Sequence, residues 1–421
     1  MKKAIIFAIV LKVILLSITA HSDLWDIVIA SHLFADKGIF NIYDFYLSLP
    51  KDHNLVKSFT TSFFPYPPLT LYTFAIWTKI ISPFTSQSFL DSMTNNLFGI
   101  YNRTDVIWHI FWYKLIYLFF DLGTGYLIWK YFKSLVQKRL ALLLWLFNPL
   151  SYYLLALGNL DLIPTFFAVL GLYLASRKRL ALACLAIGVG GAYKFFGLLF
   201  LPLMLLIPVK NNWNKIYYLF LGLAPIVFTI WPFLNSAGFE QMVLFSPYNL
   251  RILESKIFLA EDFVIFPVIT ILLMYYLFFF FKAQTVKLWQ GYLSTLLILF
   301  SLIKIHVQWF LWVTPFIVIE LVLSKLKNFY LPAILFGCWL IILMFSSADL
   351  SVGLFIPLKT LGLFQNVTPQ VTQTFTPSYM INPQQKPGID LQNLARSLFF
   401  AATSIYLLII NNLLIKKTIF K

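Results

Sequence analysis

Val106–Phe132 reads VIWHIFWYKLIYLFFDLGTGYLIWKYF. A helix needs about 20 mostly apolar residues to cross a bilayer, and this stretch exceeds that. It ends in a basic cluster, Lys130, Lys133, Lys138 and Arg139, the mark of a cytoplasmic helix end. The same pattern recurs on both sides. Upstream, an apolar run from about Ala4 to Ala20 follows Lys2 and Lys3. Downstream, apolar stretches lie near 140–157, 161–176, 180–193, 195–209, 216–235, 263–282, 288–304, 309–324, 329–346 and 394–415. The expected fold class is an all-α polytopic membrane bundle of roughly twelve transmembrane helices.

Composition agrees. Of 421 residues, 60% are hydrophobic and 11% charged, and the mean hydropathy is +0.82. A soluble domain carries about a quarter charged residues, so a soluble class is excluded. The net charge of +16 would suggest nucleic acid in a soluble protein. Here most Lys and Arg sit in short clusters between apolar runs, which reads as topology, with no nucleic-acid partner. The two cysteines, Cys184 and Cys338, fall inside apolar runs and form neither a disulfide framework nor a metal spacing. The first apolar run admits a signal peptide, but Lys12 interrupts it and polar residues follow, so the expectation is a retained helix.

Placing Lys2 and Lys3 in the cytoplasm puts the later basic clusters and both chain ends there too. This requires that Pro67–Pro83 lie along the outer interface rather than cross, and that 180–209 be two short helices breaking at Lys194. Every acidic residue except Asp121 and Glu320, and all five histidines, then fall on the extracytoplasmic side. The large outer loops are 21–105, 236–262 and 347–393, the last rich in Thr, Gln, Pro and Asn. No internal repeat is visible, which gives an inverted-repeat transporter no support.

Chemistry is therefore sought on that face. In HSDLWD (His21–Asp26), Asp23 and Asp26 lie three apart and share one face of a helical turn. A carboxylate there can take a proton from a hydroxyl, or the pair could hold a divalent cation. Alternatively Ser22 or Asp23 simply caps a helix. In GNLDLIPTF (Gly158–Phe166), Asp161 either caps the following helix or contacts a hydroxylated ligand. Lys194 is an intramembrane lysine, a functional hypothesis by default; it binds a phosphate or snorkels to the interface. In KIHVQWFLWVTP (Lys304–Pro315), Lys304, His306 and Gln308 beside Trp309 and Trp312 suit a phosphate or sugar, though an aromatic belt looks similar. Arg251, in an outer loop, can grip a phosphate bidentately or be merely solvated. Lys114 and Asp121, seven apart on one face, read as a structural ion pair. The glycines of GVGG (Gly188–Gly191) lack the context of a phosphate loop and suit helix packing.

Taken in order, these elements resemble the GT-C superfamily of membrane glycosyltransferases: an acidic site after helix one, YPPL (Tyr66–Leu69), KLIYLFFDLGTGYLIWKYF, LFNP then GNLD, YKFFGLLFLP and QWFLWVTP. The chain looks most like the polyprenol- or dolichol-phosphate-mannose-dependent enzymes, notably the first mannosyltransferase of GPI-anchor assembly and its prokaryotic relatives. The resemblance covers roughly residues 1–320, the expected catalytic module; residues 321–421 would add C-terminal helices and the long loop. It implies a GT-C bundle with interfacial helices in the first outer loop. The family's catalytic acid maps onto Asp23, or else Asp26. Its acidic pair is spaced by one residue, whereas Leu24 and Trp25 separate the pair here, so the metal role is left open. Its GNxD maps onto Gly158, Asn159 and Asp161, its lysine onto Lys194, and its QYFLW onto Gln308–Trp312.

The resemblance implies inverting transfer of a hexose, mannose first among candidates, from a polyprenyl-phosphate-linked donor to an extracytoplasmic glycan or glycolipid acceptor. Asp23 and Asp26 are the expected catalytic residues. Lys194, Arg251, Lys304 and His306 are expected at the donor phosphate, and Asp161, Asn159, Tyr66 and Gln308 at the sugar or acceptor. Magnesium or manganese at Asp23 and Asp26 is the one cofactor considered. The protein would reside in the cell membrane, or the endoplasmic reticulum membrane of a eukaryote, with its site facing outward or into the lumen. The alternatives are a transporter or flippase of lipid-linked sugars and a catalytically silent assembly subunit.

Overall fold

The structure, a computed structural model, describes residues 1–59, 63–207, 211–346, 348–363 and 388–413. It is 78% helical. We number the α-helices of ten residues or more: α1 (Lys2–Ile18), α2 (Ser22–Ala35), α3 (Pro68–Ile81), α4 (Val106–Tyr131), α5 (Leu135–Leu146), α6 (Leu162–Ser176), α7 (Leu180–Tyr193), α8 (Asn212–Ile230), α9 (Pro267–Lys282), α10 (Leu288–Leu302), α11 (Thr314–Leu323), α12 (Tyr330–Met344) and α13 (Gly388–Ile410). Among the described residues the only strands are a two-stranded antiparallel hairpin, β1 (Ile257–Ala260) and β2 (Phe263–Ile265).

Among the described residues, three helices are long and apolar enough to cross a membrane, α4, α8 extended to Phe233, and α13 from Leu391, or up to five if α1 with α2 and α5 with Pro149–Leu157 each count as one bent span. The sequence predicts roughly twelve full spans; most of the others are apolar helices of 10–17 residues. Proline and chain breaks shorten them. Pro267 and Pro315 start α9 and α11, where a missing N–H costs nothing. α1 and α2 meet at a 73° bend, so α2 runs nearly across the direction of α1. α3 packs against α2, and its 14 residues reach about 21 Å.

At the centre, α4 packs against α1, α5 and α6, while α6, α7 and α8 pack in succession. α7 and α8 approach closely because α7 is rich in glycine: a Cβ on Gly188 would lie 2.2 Å from the Gly222 carbonyl oxygen. The break predicted at Lys194 is present. α7 ends at Tyr193, Lys194 is extended (φ −158°, ψ 124°), and a 3₁₀ turn follows. α13 packs on α10 and α12, and Tyr406 donates to Glu320 at 2.9 Å. The C-terminal helices thus join the same bundle.

The ion pair expected between Lys114 and Asp121 is not formed. Asp121 instead pairs with Lys12 of α1 and accepts from Ser151 Oγ at 2.6 Å. Seven residues along a helix is about 10.5 Å, too far for direct contact, whereas Lys12 lies across a helix interface. Lys114 Nζ donates to the Thr19 and Ala156 carbonyl oxygens. Of the expected loop 347–393, residues 347 and 364–387 lie outside the described residues, as do Lys210, Lys416, Lys417 and Lys421. Its start is tied to the bundle: Ala20 N–H donates to the Leu354 carbonyl at 2.9 Å and Tyr153 Oη to the Leu350 carbonyl at 3.0 Å.

Candidate functional site

A cavity of about 580 Å³ opens where the first turn of α2, the Lys194 break and the Val307–Val313 turn converge. Its lining includes Asp23, Asp26, Tyr66, Lys194, Arg251, His306 and Gln308. These seven predicted residues come from segments far apart in sequence, all assigned to one side by the charge pattern. Asn159 and Asp161 stand one contact behind the wall, through Asp23 and Lys194.

Asp23 sits in the first turn of α2, directly after the bend. Asn159 Nδ2 donates to its Oδ2 at 2.9 Å and Gln308 Nε2 at 3.3 Å. His21 Nδ1 lies 3.2 Å from its Oδ1, and His21 Nε2 lies 3.3 Å from Asp349 Oδ2. Burial disfavours the imidazolium, but the carboxylates of Asp23 and Asp349 outweigh it and raise the His21 pKa to about 10. At neutral pH both His21 nitrogens therefore donate, one to each carboxylate. Burial likewise opposes ionisation of Asp23, yet His21, with His306 and Lys194 further off, holds its carboxyl below the usual range. Asp23 is a fixed, ionised acceptor.

Asp26 is its opposite. It is 5% exposed, and its Oδ1 has no hydrogen-bond partner among the described residues. Burial, then the neighbouring Asp23 charge, push its carboxyl well above the usual range. Two carboxyls one helical turn apart are thus shifted in opposite directions. The helix-cap position expected for Ser22 or Asp23 is held instead by His21, whose Nδ1 lies 3.2 Å from the Asp23 amide nitrogen; the neutral ring would accept that bond, and the imidazolium gives it up for Asp23 Oδ1.

The facing wall is cationic and aromatic. Lys194 Nζ donates to Asp161 Oδ1 at 2.5 Å. Asp161 therefore receives a cation, while its side chain makes no helix cap. Lys194 does not snorkel: its side chain is 16% exposed and lies 5.4 and 5.2 Å from the ring centres of Trp309 and Trp312. The Arg251 guanidinium lies 5.1 Å from the Trp309 centre, so that ring serves two cations. Trp312 stacks on Phe196 with centres 3.5 Å apart and 4° between planes. His306 is neutral, its pKa lowered to about 4 by burial and then by Arg251. It supplies a hydrogen bond rather than a charge.

Lys304 corrects the expectation. It is exposed and absent from the lining, because the chain turns outward before the Val307–Val313 segment. Only its backbone takes part, its carbonyl accepting from Arg251 at 3.0 Å. The residues also do not fit a magnesium or manganese ion. Both Asp23 oxygens face N–H donors, burial and the Asp23 charge disfavour ionisation of Asp26, and cations line the opposite wall. Among the described residues no group of three or more His, Cys, Asp or Glu side chains is arranged to hold a metal.

Two residues escaped the sequence reading. His21 was quoted within its motif without a role, although a histidine two residues from an aspartate is a visible signal. Asp349 had none, because it is brought in from 328 residues away. No protein-family model matches the chain, and no curated protein matches it.

Proposed function

We propose that this protein is a multi-pass membrane glycosyltransferase of GT-C type, its bundle of about twelve short and long spans enclosing one outward-facing site. It moves a hexose, mannose first among candidates, from a polyprenyl phosphate to an extracytoplasmic glycan or glycolipid. The observation that carries this reading is the division of one cavity between an ionised carboxylate and a cationic aromatic wall. An ordinary ligand pocket measures about 300–1,000 Å³, and this cavity, at about 580 Å³, falls within that range.

The reaction runs as a single displacement with inversion. Asp23, oriented by Asn159, Gln308 and His21, accepts the acceptor's hydroxyl proton. The freed oxygen forms its bond to the anomeric carbon from the face opposite the phosphate. The bond from that carbon to the phosphate oxygen breaks, and the electron pair leaves with the lipid phosphate. Lys194 and Arg251 oppose the charge that develops there, while neutral His306 donates a hydrogen bond. Trp309 and Trp312 offer flat apolar faces to a sugar ring. Asp26 and Tyr66 line the space beside Asp23 and suit sugar hydroxyls, and Asp161 acts through Lys194. A metal has no step.

The test incubates purified, lipid-reconstituted protein with radiolabelled polyprenyl-phosphate-mannose and a membrane lipid extract, beside Asp23→Ala. Transfer by the native protein and none by the variant supports the reading. If neither a donor panel nor varied acceptors give transfer or donor hydrolysis, the chain is not this enzyme, and uptake of labelled lipid-linked sugar across vesicles tests the transporter.

A further inference from the structure

Lys114 takes no part in the proposed chemistry, yet it lies beneath it. It is on α4 with 0% exposure and does not line the cavity. Its Nζ makes three hydrogen bonds: to the Thr19 carbonyl at 2.8 Å, Thr19 Oγ1 at 3.2 Å and the Ala156 carbonyl at 2.9 Å. Thr19 is the C-cap of α1. Ala156 lies in the last turn of the helix Pro149–Leu157. Carbonyls at a helix C-terminus lack intrahelical donors. One side chain thus donates to two helix ends at once.

Both helix ends lead straight into the site. Four residues after Thr19 comes Asp23; three after Ala156 comes Asn159, and the two touch at 2.9 Å. The turn between Ala156 and Asn159 passes through Gly158, left-handed at φ +71°, where a Cβ would lie 3.1 Å from both Cγ and Cε of Lys114. The lysine stem therefore lies against the loop that presents Asn159 and Asp161.

We propose that Lys114 is a positioning residue. It ties the segment carrying His21 and Asp23 to the segment carrying Asn159 and Asp161, and so fixes the Asn159–Asp23 contact that orients the carboxylate. Its role in transfer rests on the proposed glycosyltransferase function; its role in the joint does not.

The experiment uses full-length protein with Lys114→Met, which keeps an apolar stem and removes every donor. Loss of the contact should lower kcat about 100-fold, the effect of displacing a reacting group by about 1 Å, with donor KM unchanged within a few fold. The acid limb of the pH profile should move upward, because Asp23 loses a donor to its charged form. Lys114→Gln, which keeps an amide donor, should recover part of kcat. Loss of folded protein with unchanged kcat per folded molecule and an unmoved pH profile would overturn the proposal. A second measurement needs no substrate: thermal unfolding of Asn159→Ala, Lys114→Met and the double variant. Coupling is expected, Asn159→Ala costing less when Lys114 is already gone; strict additivity overturns the joint. Coupling without transfer by native protein would refute the proposed activity and leave the joint standing.

Discussion

Replacing Lys194 with methionine separates two roles that one side chain combines. The lysine neutralises Asp161, which is 0% exposed, at 2.5 Å, and it presents a cation to the cavity. Without it, Asp161 must stay charged in a buried place or take up a proton. For an acid with an ordinary pKa near 3.9, protonation costs about 1.36 kcal/mol for each pH unit above that value, hence about 4 kcal/mol at pH 7 and about 1.5 kcal/mol at pH 5. Loss of the contacts with Trp309 and Trp312 adds about 1 kcal/mol. Lys194→Met should thus be destabilised by about 5 kcal/mol at pH 7, and by visibly less at pH 5. Adding Asp161→Asn removes the charge and leaves an amide short of partners, at about 1–3 kcal/mol. The double variant should regain roughly half the lost stability, yet transfer should stay at least about 100-fold down, since a phosphate partner is still missing. Thermal unfolding in lipid nanodiscs at the two pH values, beside the transfer assay, reads all of this. A pH-independent loss would refute the buried-pair reasoning. Full transfer by the double variant would show that Lys194 serves structure alone.

Three further outcomes are expected. Asp23→Asn keeps an acceptor for Asn159 and Gln308 but loses basicity and the charge that faces His21, so the melting temperature should drop and transfer per folded molecule should fall about 10²–10⁴-fold; near-native activity would remove Asp23 as the base. The folded pKa of His21 is raised from 6.5 to about 10, so the stability it contributes is complete below pH 6.5 and lost as pH rises through about 10. Both stability and transfer should show an alkaline limb near pH 10 that His21→Gln abolishes, and an unchanged limb in that variant would assign it elsewhere. EDTA should leave transfer unaffected, and inactivation reversed by manganese or magnesium would overturn the donor-based argument against a metal.

Much of the site was legible because its components are individually expensive. Lys194 at the break between two apolar runs, Asp161 at the head of another and the Asp23–Asp26 turn would each cost stability without a reason to be there. Their partners were not legible, since pairing across 33 residues for Lys194 and Asp161, or 328 for His21 and Asp349, depends on helix packing that no local pattern encodes. Lys304 misled because it shares a motif with His306 and Gln308, and one turn of chain sends it outward. Lys114 and Asp121 misled similarly: a shared helix face sets direction, while Lys12 and Thr19 on the neighbouring segment decided the partners. The helical class and the break at Lys194 followed from hydropathy and charge. Helix lengths did not, since the apolar runs continue through prolines and turns that stop the helix itself.

Those lengths bear on the bilayer. α6 and α10 have 15 residues and α7 has 14, hence about 21–23 Å of helix against a hydrocarbon core near 30 Å. Asp161 is the N-cap of α6, Lys194 the C-cap of α7, and α10 leads to His306, so three short helices border the cavity. Lipid meeting such walls thins to match them, at fractions of a kcal/mol per Å. Under the proposed function, a locally thin leaflet would lower the headgroup plane toward the Lys194 ammonium, so that a lipid-borne phosphate would meet its counter-charge without leaving the membrane.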